Sequence, residues 1–175
     1  MNIFKIFYRK MRFRSYSDII KYYRKLGVKI GNGSIILSNE SSFGSEPYLI
    51  SIGENCLISG NVQFLTHDGG MWVLNNLGLE KKADKFGKIK IGNNVFIGIG
   101  AVIMPGITIG DNCIIGAGSI VTKNIYSNRV VAGVPAKEIC TIEEYHLKNK
   151  SKIVETYGMS YEDKKNWLLN DYKNK

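Results

Sequence analysis

From Ile91 to Val121 an aliphatic residue returns at every sixth position: Ile91, Ile97, Ile103, Ile109, Ile115 and Val121. Glycine follows most of them, at Gly92, Gly98, Gly110 and Gly116, and the fourth residue after each is small or β-branched: Val95, Ala101, Ile107, Cys113, Ser119 and Ile125. The same frame opens upstream at Ile30-Gly31 and at Ile52-Gly53-Glu54-Asn55-Cys56, followed by Ile58 and Phe64. A period of six fits neither an α-helix, which repeats about every 3.6 residues, nor a plain strand, which alternates every two. Six residues make a short strand and a corner, and three such sides close a triangular coil, the pattern of a parallel β-helix. Each side then sends one side chain inward, stacked on its counterpart in the next coil at the roughly 4.8 Å spacing of paired strands.

Composition agrees with many tight corners. The chain has 19 glycines against three prolines, which excludes a collagen or a proline-rich linker and suits corners where a Cβ is penalised. Its 175 residues allow one domain with short appendages. The formal charge of +9 is not spread evenly: residues 1–30 carry nine Lys and Arg against one Asp, residues 31–140 eight of each sign, and residues 141–175 seven against six. A neutral body lacks the basic stripe of a nucleic-acid binder, so no nucleic-acid partner is expected. Cys56, Cys113 and Cys140 are too few and too scattered for a zinc site or a disulfide scaffold, which fits a reducing, cytoplasmic compartment. Cys56 and Cys113 both fall on the small inward position of the repeat and read as core residues. Lysine and arginine interrupt the first ten residues, unlike a secretory leader, and the uncharged run from Val95 to Gly110 is too short and too broken by Pro105 and glycines for a membrane span.

The motifs Ile91-Gly-Asn-Asn-Val-Phe-Ile-Gly98, Ile109-Gly-Asp-Asn-Cys-Ile-Ile-Gly116 and Val131-Ala-Gly-Val-Pro-Ala-Lys137 resemble the hexapeptide-repeat, left-handed β-helix acyltransferases, and more narrowly the sugar, capsule and antibiotic O-acetyltransferases. The resemblance covers residues 28–140 and implies the left hand of the coil, which periodicity alone does not set. It also implies acetyl-CoA as co-substrate, no metal, and a homotrimer whose donor grooves lie between neighbouring subunits. The expected fold is an all-β core, with a basic N-terminal helical cap over residues 1–27, the β-helix over 28–140 with an extended loop at about 68–88, and a C-terminal helical appendage over 141–175.

A stack of near-identical coils carries its chemistry where the repeat breaks. Phe64 and Ile91 stand 27 positions apart, not a multiple of six, and the surplus from Asp68 to Lys88 reads as an irregular lid or binding surface rooted at Thr66-His67-Asp68. His67 is one of two histidines. An imidazole titrating near neutrality suits removal of a proton from a sugar hydroxyl as it attacks a thioester, and in the family that the sequence resembles a histidine at the start of this loop has that role. One histidine at the break does not supply the three imidazole ligands of a related zinc enzyme. Carried over by motif, Ile99 and Ala117 would offer backbone N–H groups to the thioester carbonyl and the pantetheine arm, and Thr122, Lys123 and Lys137 would border the nucleotide end. Relatives commonly have tryptophan at Phe96 and serine at Ile99, so here only a backbone donor is left for the oxyanion. For the acceptor, Asp68 and Trp72 in the loop and Asn39 in a second irregular stretch, Ser38–Tyr48, have the aromatic and hydrogen-bonding character that carbohydrates need.

Residues 3–26 read as a basic amphipathic pair of helices, the second starting near Ser17. They would cap an open strand edge, or rest peripherally on the inner, anionic face of a membrane through Arg9, Lys10, Arg12 and Arg14. Thr141-x-x-Glu144 and Ser160-x-x-Asp163 are capping boxes opening two C-terminal helices. The expected function is acetyl transfer to a carbohydrate hydroxyl, on a surface polysaccharide or its precursor. A small sugar or antibiotic, an amino-sugar nitrogen, and a non-enzymatic trimeric scaffold are the alternatives.

Overall fold

A computed structural model describes residues 16–170. The six-residue period becomes a coil with three flat sides. Face A holds β1 (Lys29–Ile30), β3 (Ile50–Ile52), β6 (Ile89–Ile91) and β9 (Thr108–Ile109). Face B holds β2 (Ile35–Ile36), β4 (Leu57–Ile58), β7 (Phe96–Ile97), β10 (Ile114–Ile115) and β12 (Arg129–Gly133). Face C holds β5 (Gln63–Phe64), β8 (Val102–Ile103) and β11 (Ile120–Val121). All these strands pair in parallel, and the aliphatic frame sets their register: Ile30, Ile52, Ile91 and Ile109 stack on face A, Ile58, Ile97 and Ile115 on face B, and Phe64, Ile103 and Val121 on face C. Each of these side chains is buried.

The small inward positions fill the corners of the same core. Cys56 and Cys113 are buried there, as their place in the repeat predicts, and burial pushes both thiols up from the usual range. At the corner between faces A and B every coil needs one residue in the left-handed region, supplied by Gly33, Asn55, Asn94, Asn112 and Asn128. Asn tolerates it, and Asn94 Nδ2 donates to Asn112 Oδ1 while Asn112 Nδ2 donates to Asn128 Oδ1, each at 2.9 Å.

Two ends close the stack. Helix α1 (Tyr16–Lys25) lies against the first coil. Tyr23 is buried over Phe43 and its hydroxyl donates to the Ser38 carbonyl, while the Arg24 guanidinium donates twice to the Ile30 carbonyl at the open edge of face A. This is the expected cap. Residues 3–15, and with them the basic cluster Arg9 to Arg14, lie outside the described residues. At the other end the six-residue rhythm gives way to an antiparallel hairpin, β12 with β13 (Ala136–Thr141). The Thr141 and Glu144 backbone N–H groups are taken by each other's side chains, a reciprocal box that starts α3 (Ile142–Asn149). Residues from His146 form a second compact unit, in which Ser160 and Asp163 cap α4 (Tyr161–Asn170). Among the described residues no helix is long and apolar enough to cross a membrane.

An uninterrupted coil takes 18 residues, as from Ile91 to Ile109. Ile30 to Ile52 takes 22 and Ile52 to Ile91 takes 39, so four residues are inserted in the first coil and 21 in the second. The long insertion is not the irregular segment that the sequence suggests. It contains α2 (Met71–Asn76) and is clamped across by the Asn75 amide, which donates to the Ala83 carbonyl and accepts from the Ala83 N–H.

Because the inward column is continuous, a void in one coil is lined by the coils above and below. Ile97→Ala, at a fully buried site between Ile58 and Ile115, is expected to cost about 2–5 kcal/mol in denaturant unfolding. A loss under about 1 kcal/mol would contradict the stacked core.

Candidate active site

His67 stands at the corner between faces C and A, where the chain leaves the coil. One coil further on the equivalent position is Gly106. Thr66 is buried just before it, and the two strands of the insertion zip together there: His67 bridges Phe86 in antiparallel fashion, the Asp68 N–H donates to the Lys85 carbonyl at 2.9 Å, and the Gly87 N–H donates to the Thr66 carbonyl at 2.8 Å. Gly87 is required, because a Cβ would sit 2.3 Å from the backbone nitrogen of Gly106.

Below this corner the short insertion of the first coil brings up Glu46. Its Oε2 accepts from the Thr66 hydroxyl at 2.7 Å and lies 3.0 Å from His67 Nδ1. The Thr66 hydroxyl, the Ser45 hydroxyl and the imidazole hold the Glu46 carboxyl below the usual carboxylate range, against the opposing effect of burial. An ionised carboxylate can only accept, so the hydrogen of neutral His67 is on Nδ1 and Nε2 keeps its lone pair. The ring is about half exposed.

Asp68 does not join this pair. Its carboxylate accepts from the Gly70 N–H and from Lys85 Nζ at 3.1 Å, contacts that lower its pKa and lock the turn into α2. Trp72 is 74% exposed on α2. Asn39 accepts from the Ser41 hydroxyl near the corner between faces B and C. The three acceptor candidates are thus dispersed, and only Asp68 adjoins His67.

The donor-side residues fall on two corners. Ile99 and Ala117 stack one coil apart at the corner between faces B and C, and among the described residues neither gives its N–H to another part of the chain. Thr122 and Lys123 occupy the corner between faces C and A, two coils beyond His67. They meet Lys137 of the terminal hairpin in one groove of about 340 Å³, which Tyr126 and Arg129 also line. His67 and Ile99 stand on opposite edges of face C, so one chain does not bring them together.

The repeat matches the family described as bacterial transferase hexapeptide (six repeats) over residues 88–123. Protein CapG of Staphylococcus aureus is 49% identical over 170 residues, 97% of this chain and 96% of its own. The chain belongs to the hexapeptide-repeat acetyltransferases. Galactoside O-acetyltransferase of Escherichia coli K12 is 43% identical over 131 residues, 73% of this chain and 63% of the enzyme. The solved structure of a galactoside acetyltransferase in complex with coenzyme A has a TM-score of 0.53 and 34% identity, covering 75% of this chain and 61% of its own. A hexapeptide-repeat acetyltransferase of Vibrio cholerae, at a TM-score of 0.58 and 20% identity, shares the fold. With the family comes the left hand of the β-helix.

Two residues of this acetyltransferase escape a reading of the sequence. Glu46 looks like any acid in an irregular stretch, and only the surplus of four residues in the first coil hints that it is displaced toward a neighbouring corner. Phe86 sits 6.3 Å from the His67 ring, edge to face and 54% exposed; its alternation with Lys88 and Lys90 was the available signal.

The lowered pKa of Glu46 has a definite consequence for acid stability. A carboxyl that binds its proton more weakly folded than unfolded stabilises the fold above its unfolded pKa, and that contribution disappears as pH falls through the folded value. Glu46→Gln is therefore expected to flatten the fall in melting temperature below about pH 4.5, near the unperturbed value. An unchanged acid limb would show that the Thr66–Glu46–His67 contacts do not form in solution.

Proposed function

We propose that this acetyltransferase moves acetyl from acetyl-CoA to a carbohydrate hydroxyl, on a surface polysaccharide or its precursor. The observation that carries the reading is His67, fixed through Nδ1 by Glu46 at the root of a 21-residue insertion, on a ring that is about half exposed. Its likeness to a galactoside O-acetyltransferase supports a sugar hydroxyl as nucleophile. The same likeness favours a small sugar as the second reading.

In the proposed reaction the acceptor O–H gives its proton to Nε2 while the oxygen attacks the thioester carbonyl carbon. The imidazolium is stabilised by the Glu46 carboxylate. Negative charge on the former carbonyl oxygen is met by the Ile99 N–H. The carbon–sulfur bond then breaks, and the thiol leaves with the proton held by His67. Lys123 and Lys137, with Thr122 in the same groove, suit the phosphates of the donor, and Ala117, stacked on Ile99 at the corner between faces B and C, suits its amide-bearing arm. No acyl-enzyme is involved.

This reading requires more than one chain, because His67 and Ile99 occupy opposite edges of face C. A homotrimer sharing three sites meets the requirement. It is also supported by an outward column of Ile35, Leu57, Phe96 and Ile114 along face B, an apolar ladder of the kind that a neighbouring subunit covers. Action on the cytoplasmic side of the membrane follows if the acceptor is a precursor made there.

His67→Ala should lower turnover by about 10²–10⁴ while acetyl-CoA binding is retained. The binding is read as a thermal shift, since a ligand at 100 times its dissociation constant adds about 2.7 kcal/mol. Near-normal turnover, or no shift in either protein, would sink the assignment. Mixing inactive His67→Ala with inactive Ile99→Pro chains under reassembly conditions should restore activity at interfaces that receive one intact residue from each. No recovery on mixing would place the whole site within a single chain.

A further inference from the structure

We infer that the acceptor carries an anionic group one or two sugar units from the acetylated hydroxyl, bound along a track of Phe86, Lys88 and Lys90. The inference rests on His67 as the reacting base.

The eight cations of residues 31–140 are not scattered. Five of them, Lys81, Lys82, Lys85, Lys88 and Lys90, lie within ten positions against Asp84 alone. The second half of the insertion returns to the coil as an extended segment from Phe86 into β6. Ile89 and Ile91 point inward and are buried, so Phe86, Lys88 and Lys90 share the outward side, and all three are exposed. Successive outward side chains on an extended segment stand roughly 6.6–6.8 Å apart. The track therefore begins beside the His67 ring and runs about 13 Å from it across face A.

The strand neighbours of Lys90 on this face are not acidic. The outward neighbours of Lys90 are Ser51 and Thr108, and the neighbour beyond Ser51 is Lys29. Among the described residues Lys85 is paired with Asp68, whereas Lys29, Lys88 and Lys90 have no ion pair. Like charges held on adjacent outward positions repel each other, and an anion laid along them removes that repulsion. The aromatic ring supplies what the lysines do not. Phe86 presents a face on which a pyranose stacks, next to the imidazole that takes the proton. A sugar on Phe86 places its hydroxyl toward His67 and its carboxylate, or that of the next unit, toward Lys88 and Lys90. A phosphate on a nucleotide-linked sugar would meet the same two cations.

Calorimetric titration tests this without turnover. The probes are a hexasaccharide of alternating glucuronate and N-acetylglucosamine, the same hexasaccharide with its carboxyls reduced, and UDP-N-acetylglucosamine. At least one anionic probe should bind at least tenfold tighter than the neutral one, and more weakly as salt rises. The doubly substituted Lys88→Gln/Lys90→Gln protein, with its acetyl-CoA thermal shift intact, should lose that tenfold. Phe86→Ala should weaken all bound probes and Phe86→Tyr should restore them. The arm that binds distinguishes uronate from phosphate. Equal affinity for charged and neutral probes, or full anion affinity in the double variant, overturns the inference. Salt-sensitive, lysine-dependent binding with no acetyl transfer to any hydroxyl would uphold the anion track and refute the O-acetyltransferase reading.

Discussion

Vertical stacking of one inward side chain per side is the interaction on which everything else rests. A strand of two residues has almost no stability by itself, and it persists here because each inward side chain is buried against its counterparts in the adjoining coils. The geometry admits no slip, since moving a coil by one residue would turn its core outward. It also demands a sharp corner at a fixed interval, which glycine and asparagine provide at a conformation that most side chains resist. The hydrogen-bonded column Asn94–Asn112–Asn128 partly offsets that resistance, so the corner becomes a stabilising ladder of its own.

The inward positions of the prism are filled by buried side chains. Chemistry is confined to its edges, and the edges are where the chain departs from its period. Both insertions meet at one edge: the four extra residues of the first coil deliver Glu46 and the 21 extra residues of the second begin at His67. Buried Thr66 ties them, its hydroxyl to the acid and its carbonyl to the returning strand. The His67 imidazole is thereby oriented by groups that belong to the rigid stack, although the ring itself is about half exposed.

The repeat made the architecture legible because six successive residues, Ile91 to Val121, keep the same spacing without error, and each recurrence tests the last. His67 was legible for the opposite reason, as a titratable residue at the larger of the two breaks in the spacing. Glu46 was not, because its role depends on where a short surplus displaces the backbone, and no local pattern states that. The helix inside the long insertion was hidden as well, being only six residues with glycines on both sides. The lysines of residues 81–90 were obscured by adding charges over a whole domain, which cancelled a dense local cluster against acids spread from Glu40 to Glu138.

The closing bridge between His67 and Phe86 bears on descent. Directly paired strands hold their Cα atoms within about 4.5–5.5 Å, so the coil sees the same short gap whatever lies between the two ends. The length of the intervening segment is only weakly penalised, by about 0.6 kcal/mol per doubling. The insertion is in effect a cassette plugged into a standard socket. Its contents can be exchanged, enlarged or trimmed while the coils on either side keep their register, so the surface beside His67 is free to vary independently of the stacked core.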